Sequence, residues 1–187
     1  MTELGTGEEL ALPSGGVVRL RLGIGWDKER TAGAMGTGAP DIDLDATAVQ
    51  FAGGKLFDLA FYNNLQTRDG SVVHLGDNQT GTGDGDDESV TVDLTRVHGP
   101  VDTILLVVSS YQGHSLTWLN NGYCRVVDLD TGTDLAWYRL SGGPDTTGLV
   151  MATLVRVGDG WAFRTVGEGV AITKPTEGLA KLNRFVS

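Results

Sequence analysis

The chain has 187 residues, which is enough for one domain with a sizeable core, and we treat residues 1–187 as a single domain. Its formal net charge of −10 at pH 7 argues against a nucleic-acid partner, because the phosphates would be repelled. The single cysteine, Cys124, excludes an intrachain disulfide and a zinc site made of several cysteines.

The opening segment and the apolar runs bear on where the protein is located. Residues 1–16 contain neither the basic region nor the apolar region of a signal peptide. The longest apolar run, 104–108, is far too short to span a bilayer. We therefore expect a cytoplasmic protein without a membrane span.

The spacing of apolar residues predicts a mostly β fold. Residues 18–26 alternate strictly, which indicates a half-buried strand, and residues 28–40 follow as a loop. Residues 104–108 are apolar at every position, as expected of a strand covered on both faces. Further extended or apolar segments lie at 44–51, 55–62, 72–75, 89–94, 123–127, 135–140, 149–157 and 161–166.

Turn signals recur about every ten residues between these segments, and the chain is rich in glycine. This pattern predicts a β-sandwich of eight or nine strands. Only the C-terminus shows a helical pattern, in which Leu179, Leu182 and Phe185 recur on one side and Thr176 provides a cap. We therefore predict a short C-terminal helix.

Two short segments hold eight of the 24 acidic residues: 41–45, with the sequence DIDLD, and 76–88, with the sequence GDNQTGTGDGDDE. Five carboxylates between residues 77 and 88 repel one another unless a cation neutralises them. Calcium takes about six to eight oxygen ligands in flexible geometry, and glycine leaves backbone carbonyls free to serve. Oxygen donors without a nearby histidine or cysteine favour calcium over zinc or copper.

The longer acidic segment fits neither of two known loop types. An EF-hand loop that began at Asp77 would place Gln79, Gly81 and Thr82 where it needs two ligands and a glycine. A phosphate-binding loop would need a lysine that this segment lacks. From the residues alone, a solvated acidic loop without an ion remains an alternative.

Several motifs occur in the order typical of the TerD domain: DIDLDATAV, FYNN, GSVVHLGDNQTGTGDGDDE, VDLTRV and RVVDLDTG. The resemblance extends over roughly residues 22–182, which is nearly the whole chain. The motif GDNxTGxGxGDDE is too long for an accidental match. The sequence thus resembles the TerD family, which is associated with tellurium resistance and the stress response.

The resemblance implies a β-sandwich of two antiparallel sheets with long acidic loops at one end. These loops would bind Ca²⁺, typically as two neighbouring ions. By motif position, the implied ligands are Asp43, Asp45, Asn63, Asp77, Asn78, Gly83 through its carbonyl, Asp84, Asp86, Asp87 and Glu88. Asp41 precedes the shared motif, and we expect it to be peripheral.

The implied function is that of a non-enzymatic calcium-binding protein of a tellurium-resistance or general stress-response system. Its ions would order a surface for an unidentified protein partner. One alternative is a metal-dependent phosphoesterase, although neither acidic segment contains a histidine, a lysine or an arginine. Another is a calcium-dependent carbohydrate-binding module.

The remaining reactive residues have simpler interpretations. His74, His98 and His114 do not show the spacing of metal ligands, and we expect ordinary surface or strand positions for them. Cys124 lies inside a predicted strand, where a small buried apolar residue is expected.

The segment 109–121 could form a surface of its own. Ser109 and Ser110 lie close to His114, but no GxSxG motif supports a catalytic triad. Tyr111 and Trp118 could be exposed for a partner, although aromatic residues in a sandwich more often belong to the core.

Overall fold

The computed structural model describes residues 1–27, 43–76, 85–140 and 142–186. Within these ranges the strands are β1 (Thr2–Leu4), β2 (Glu9–Leu12), β3 (Arg19–Asp27), β4 (Leu44–Ala52), β5 (Lys55–Ala60), β6 (Val72–His74), β7 (Glu88–Asp93), β8 (Thr103–Ser110), β9 (Asn120–Asp128), β10 (Thr133–Arg139), β11 (Gly148–Val157) and β12 (Gly160–Val170). Two short 3₁₀-helices cover Leu116–Trp118 and Leu179–Phe185. In the described ranges, no helix is long and apolar enough to cross a membrane.

The strands form two six-stranded sheets. Sheet A has the order β1-β10-β9-β3-β7-β6, and sheet B has the order β2-β12-β11-β8-β4-β5. Neighbouring strands run antiparallel, except that β1 pairs with β10 in parallel. The predicted β-sandwich of antiparallel sheets is confirmed, apart from this one pair. The described strands number twelve rather than eight or nine.

The sequence pattern does not predict β1 and β2, each of which forms one edge of its sheet. Both are short and mostly exposed, so they lack a clear alternation of apolar residues. The turn between them crosses from one sheet to the other. There, Thr6 and Tyr138 share a hydrogen bond of 3.0 Å between their hydroxyls, and Gly7 N donates to the Thr165 carbonyl.

The uniformly apolar strand β8 is buried at all eight positions, which confirms the prediction for residues 104–108. Ile104, Leu106 and Val108 belong to the core between the sheets. Leu105 and Val107 belong to a second cluster on the outer face of sheet B. The strand needs apolar side chains on both faces because both are covered.

The C-terminal segment provides the cover for this outer face. Leu182 is buried, and Leu179 and Phe185 pack against the same cluster. The predicted helix is therefore present as the 3₁₀-helix Leu179–Phe185, but the predicted cap at Thr176 is wrong. Gly178 occupies the N-cap position with φ 83°, a left-handed conformation that prevents the helix from beginning earlier.

One end of the sandwich gathers the segments that the sequence analysis marked as acidic. In sheet A, the end of β3 lies beside the start of β7, since Ile24 pairs with Glu88. In sheet B, the start of β4 lies beside the end of β8, since Leu44 pairs with Ser110. The segment after β5 joins the two sheets at this end, where Leu65 accepts a hydrogen bond from the backbone of His74 in β6. We call this the acidic end.

Candidate metal site at the acidic end

The ten implied ligands divide into those that the structure describes and those that it does not. Asp77, Asn78, Gly83 and Asp84 lie outside the described residues, as does Asp41. The described ones are Asp43, Asp45, Asn63, Asp86, Asp87 and Glu88.

Asp43 and Asp45 lie at the start of β4. Asp43 is exposed, and Asp45 is half-buried at the position that pairs with Ser109 of β8. Asn63 is exposed in a tight turn that follows β5. Burial raises the pKa of the adjacent Tyr62, and the charges of Tyr111 and Asp45 add to this rise. Asp45 therefore lies close to the turn that carries Asn63.

Asp87 is fixed to the end of β3 by its backbone and its side chain. Its N–H donates to the carbonyl of Ile24 over 2.8 Å, and its Oδ2 accepts from the N–H of Trp26 at 3.0 Å. The next residue of β3, Asp27, is an exposed carboxylate that the sequence analysis did not select. The sequence feature that could have identified Asp27 is its position directly at the end of a strongly alternating strand.

Glu88 begins β7 and is buried opposite His74 of β6. The Nδ1 atom of His74 accepts a hydrogen bond from the N–H of Gly76, which leaves the proton of the neutral ring on Nε2. This Nε2 lies 3.0 Å from Glu88 Oε2, but the two atoms are not aligned as a hydrogen bond. Glu88 thus presents a buried carboxylate oxygen that makes no hydrogen bond.

Asp86 has different surroundings from its two neighbours. Its Oδ1 accepts from Nε of Arg125 at 2.7 Å and from the hydroxyl of Tyr123 at 3.3 Å. Its Oδ2 lies 3.1 Å from Nη1 of Arg21, and the Asp86 side chain is only 1% exposed. The fold therefore brings two arginines, from β3 and β9, to a segment that contains none.

Both arginines are distant from Asp86 along the chain, so the acidic motifs do not indicate them. The available signal was the alternation of residues 18–26, which places Arg21 on the face opposite the apolar residues. Together with Asp86, Asp87, Ser89 and Gly76, both arginines line an open cleft of about 370 Å³.

Burial and the charges in this cleft shift the pKa of neighbouring side chains. Burial, followed by the charge of Asp86, raises the pKa of Tyr123 to about 12. The hydrogen bond that Arg125 donates to Asp86 raises the pKa of Arg125, so the guanidinium stays charged. Cys124 is fully buried, which confirms the expected position, and this burial raises the pKa of its thiol.

The histidines and serines outside the acidic segments do not form a catalytic arrangement in the described residues. His74 is a buried strand residue, and His98 stacks on Phe57 with ring centroids 5.0 Å apart. Ser110 is buried, and its hydroxyl accepts from the backbone N–H of His114 rather than from the imidazole. Tyr111 is 52% exposed, as the sequence analysis considered.

The described donors fit a hard cation in kind, because carboxylate and amide oxygens predominate. Within the described ranges, no group of three histidine, cysteine, aspartate or glutamate side chains is arranged to hold a metal ion. A complete site of this type would therefore need donors from residues 77–84, which separate β6 from the carboxylates at the start of β7.

Comparisons with known proteins agree with this architecture. The chain is 39% identical over 162 residues to the tellurium resistance protein TerZ of Serratia marcescens, covering 84% of this chain and 83% of that protein. It is 35% identical over 183 residues to the stress response protein SCP2 of Bacillus subtilis, covering 90% and 92%.

Among solved structures, a homologue of telluride resistance protein (TerD) from Streptomyces coelicolor A3(2) superposes with a TM-score of 0.67. The match covers 90% of this chain and 96% of that one, at 19% identity, so it supports the fold alone. The profile of the TerD domain matches residues 1–183. The chain therefore belongs to the TerD family.

Proposed function

We propose that this protein is a non-enzymatic calcium-binding module of a tellurium-resistance or general stress-response system, and that it acts in the cytoplasm. The observation that carries the proposal is the position of Asp43, Asp45, Asp87 and Glu88. All four lie at or next to the starts of β4 and β7 at the acidic end, and in the sequence the donor-rich segment 77–84 lies between the two pairs. The assignment to such a system is supported by the relatives that are named for tellurium resistance and the stress response.

The proposed ligands combine these carboxylates with Asn63 and with Asp77, Asn78, Gly83 and Asp84 of the segment 77–84. Two Ca²⁺ ions would neutralise much of the negative charge that these carboxylates bring together. The carboxylate of Glu88, which faces His74 rather than an arginine, is a donor of the required kind. The ions would supply positive charge, while this chain's strands hold the donors in place.

Ion binding would order a surface for a protein partner at the same end. Tyr111 is exposed there and packs edge-to-face on Tyr62, with ring centroids 6.1 Å apart. An exposed tyrosine that packs on a half-buried one beside ordered carboxylates is a suitable surface for a protein, because aromatic residues are enriched in interfaces.

Thermal unfolding in excess CaCl₂ and in EGTA tests the proposal. A ligand present at about a hundred times its Kd stabilises the fold by about 2.7 kcal/mol, which corresponds to a rise in Tm of about 5–10 °C for a chain of this size. Asp87→Asn should reduce this rise. The matched control is Asp159→Asn, an exposed aspartate in the β11–β12 turn at the opposite end, which should keep the full rise.

An unchanged Tm for the unsubstituted protein in calcium would contradict the proposal. Turnover of p-nitrophenyl phosphate with Mg²⁺ or Mn²⁺ would favour the phosphoesterase instead. The nearby arginines would be consistent with phosphoesterase chemistry, but both already contact Asp86. Binding on a glycan array that requires calcium would favour the carbohydrate-binding module.

A further inference from the structure

The contacts of Asp86 conflict with a role as an ion ligand. A carboxylate that binds Ca²⁺ directs its lone pairs at the ion over about 2.3–2.6 Å. Both oxygens of Asp86 instead face arginine, with Arg125 on Oδ1 and Arg21 on Oδ2. An arginine side chain cannot lose its charge in a protein, so a cation at the same carboxylate would meet strong repulsion.

The space around Asp86 is also built for the carboxylate in its present position. A Cβ atom on Gly23 would lie 2.0 Å from Asp86 Oδ2 and 2.2 Å from its Cγ. A Cβ atom on Gly25 would meet the ring of Tyr123, the third partner of this carboxylate, at 2.4 Å. Gly23 and Gly25 lie on the outer face of β3, and because they have no side chains they leave room for Asp86 and Tyr123 to pack against the strand.

The two residues that follow Asp86 are held differently. Asp87 accepts a hydrogen bond from a backbone N–H of β3, and Glu88 lies against the Nε2 atom of His74. Neither contact brings a fixed positive charge to the carboxylate. Of the three consecutive acids, Asp86 is therefore paired with arginine, whereas Asp87 and Glu88 are not.

We propose that Asp86 is a positioning residue that clamps the chain directly before β7 to sheet A, and that it is not a calcium ligand. The clamp consists of Asp86, Arg21, Arg125 and Tyr123, seated on Gly23. It fixes the residues that lead directly into β7. It also offsets part of the positive charge of Arg21 and Arg125, which would otherwise repel an ion at the acidic end.

This inference rests partly on the proposed calcium site, so its experiment has one readout that needs calcium and one that does not. Asp86→Asn, Arg125→Gln and the double variant are compared with the unsubstituted chain. Thermal unfolding in EGTA measures the clamp alone. Calorimetric titration with CaCl₂ measures the number of ions bound and the Kd.

In EGTA, Asp86→Asn should lower Tm by about 6 °C or more, because it removes the buried carboxylate that Arg21 and Arg125 share. Arg125 would keep its contact with Asp134 at 3.3 Å. The loss caused by Asp86→Asn should be much smaller when Arg125→Gln is already present, since the pair acts as a unit. Additive losses would overturn the clamp, and this outcome does not depend on whether calcium binds.

In calcium, Asp86→Asn should bind as many ions as the unsubstituted chain but with a higher Kd, because uncompensated arginine charge opposes the ion. The double variant should recover most of the affinity, since it removes one guanidinium charge along with the carboxylate. A lower ion number in both variants would overturn the proposal and make Asp86 a ligand.

If Asp86→Asn does not fold, Arg125→Gln alone decides the question. If Asp86 is a clamp residue, the removal of Arg125 does not turn it into a calcium ligand. The number of bound ions then stays constant, while Tm in EGTA falls. An additional bound ion would overturn the proposal. If the unsubstituted chain binds no calcium at all, the proposed function fails and the coupling in EGTA still tests the clamp.

Discussion

A Cβ atom at residue 23 would overlap the carboxylate of Asp86, so the acid can lie against β3 only because Gly23 has no side chain. Gly23→Ala should therefore destabilise the fold by about 1–3 kcal/mol, as overpacking typically does. Urea unfolding in EGTA measures this loss. Gly99→Ala is the matched control, because a Cβ there meets no atom within 4 Å and should change the free energy of unfolding little. Equal effects of the two substitutions would contradict the close packing.

Asp69 should make stability depend on pH at the acidic extreme. Burial acts to raise its pKa, but hydrogen bonds from the His98 N–H, from Ser71 and from Thr67 outweigh burial and lower the pKa to about 2. A lowered folded pKa means that the stabilisation is complete above the usual aspartate range and is lost as the pH falls toward 2.

The variant Asp69→Asn should therefore lose about 1–2 kcal/mol at pH 7, after allowance for solvent around this half-exposed group. The difference from the unsubstituted chain should shrink below about pH 4. Urea unfolding of both proteins between pH 2 and pH 7 provides the check. A difference that stays constant down to pH 2 would show that the charge of Asp69 is not responsible.

The cover over sheet B should contribute substantially to stability. Leu182 is 1% exposed and packs in the outer cluster with Leu105 and Val107. Leu182→Ala should cost about 2–5 kcal/mol, the usual loss for a buried leucine. Asn183→Ala, at the exposed neighbouring position, is the control and should cost less than 1 kcal/mol by equilibrium unfolding, roughly the range of surface substitutions. A small loss for Leu182 would mean that the helix is not firmly docked.

The thiol of Cys124 should be unreactive in the folded protein. It is fully buried in β9, and burial raises its pKa, so the reactive thiolate is scarce at neutral pH. Labelling with iodoacetamide at pH 8 should be very slow in buffer and complete in concentrated urea, as followed by mass spectrometry. Rapid labelling of the native chain would show that the strand opens readily.

The fold was largely predictable because the sandwich imposes strong local patterns. The alternation of 18–26 predicted β3, and the uniformly apolar run 104–108 predicted a strand buried on both faces. β1 and β2 could not be predicted, because three or four residues at a sheet edge bury too little to leave a pattern. Thr176 looked like a cap, but the left-handed Gly178 decides where the helix begins.

The site was only partly predictable, since motifs identify acidic residues but not what faces them. Arg125 follows Asp86 by 39 positions, and only the pairing of β9 with β3 brings the two together. His74 and Glu88 likewise meet because β6 pairs with β7. Calcium ligation itself remains a prediction, and the segment 77–84 on which it depends lies outside the described residues.

The short edge strands β1 and β2 also have a consequence for solubility. Each occupies the outer side of a longer strand, β10 in one sheet and β12 in the other, whose backbone groups would otherwise be open to pairing with another chain. Removal of the first twelve residues would expose both ladders on the same flank of the molecule. Such a truncated protein would be prone to edge-to-edge association and fibre growth, whereas the intact chain protects itself with only seven residues of strand.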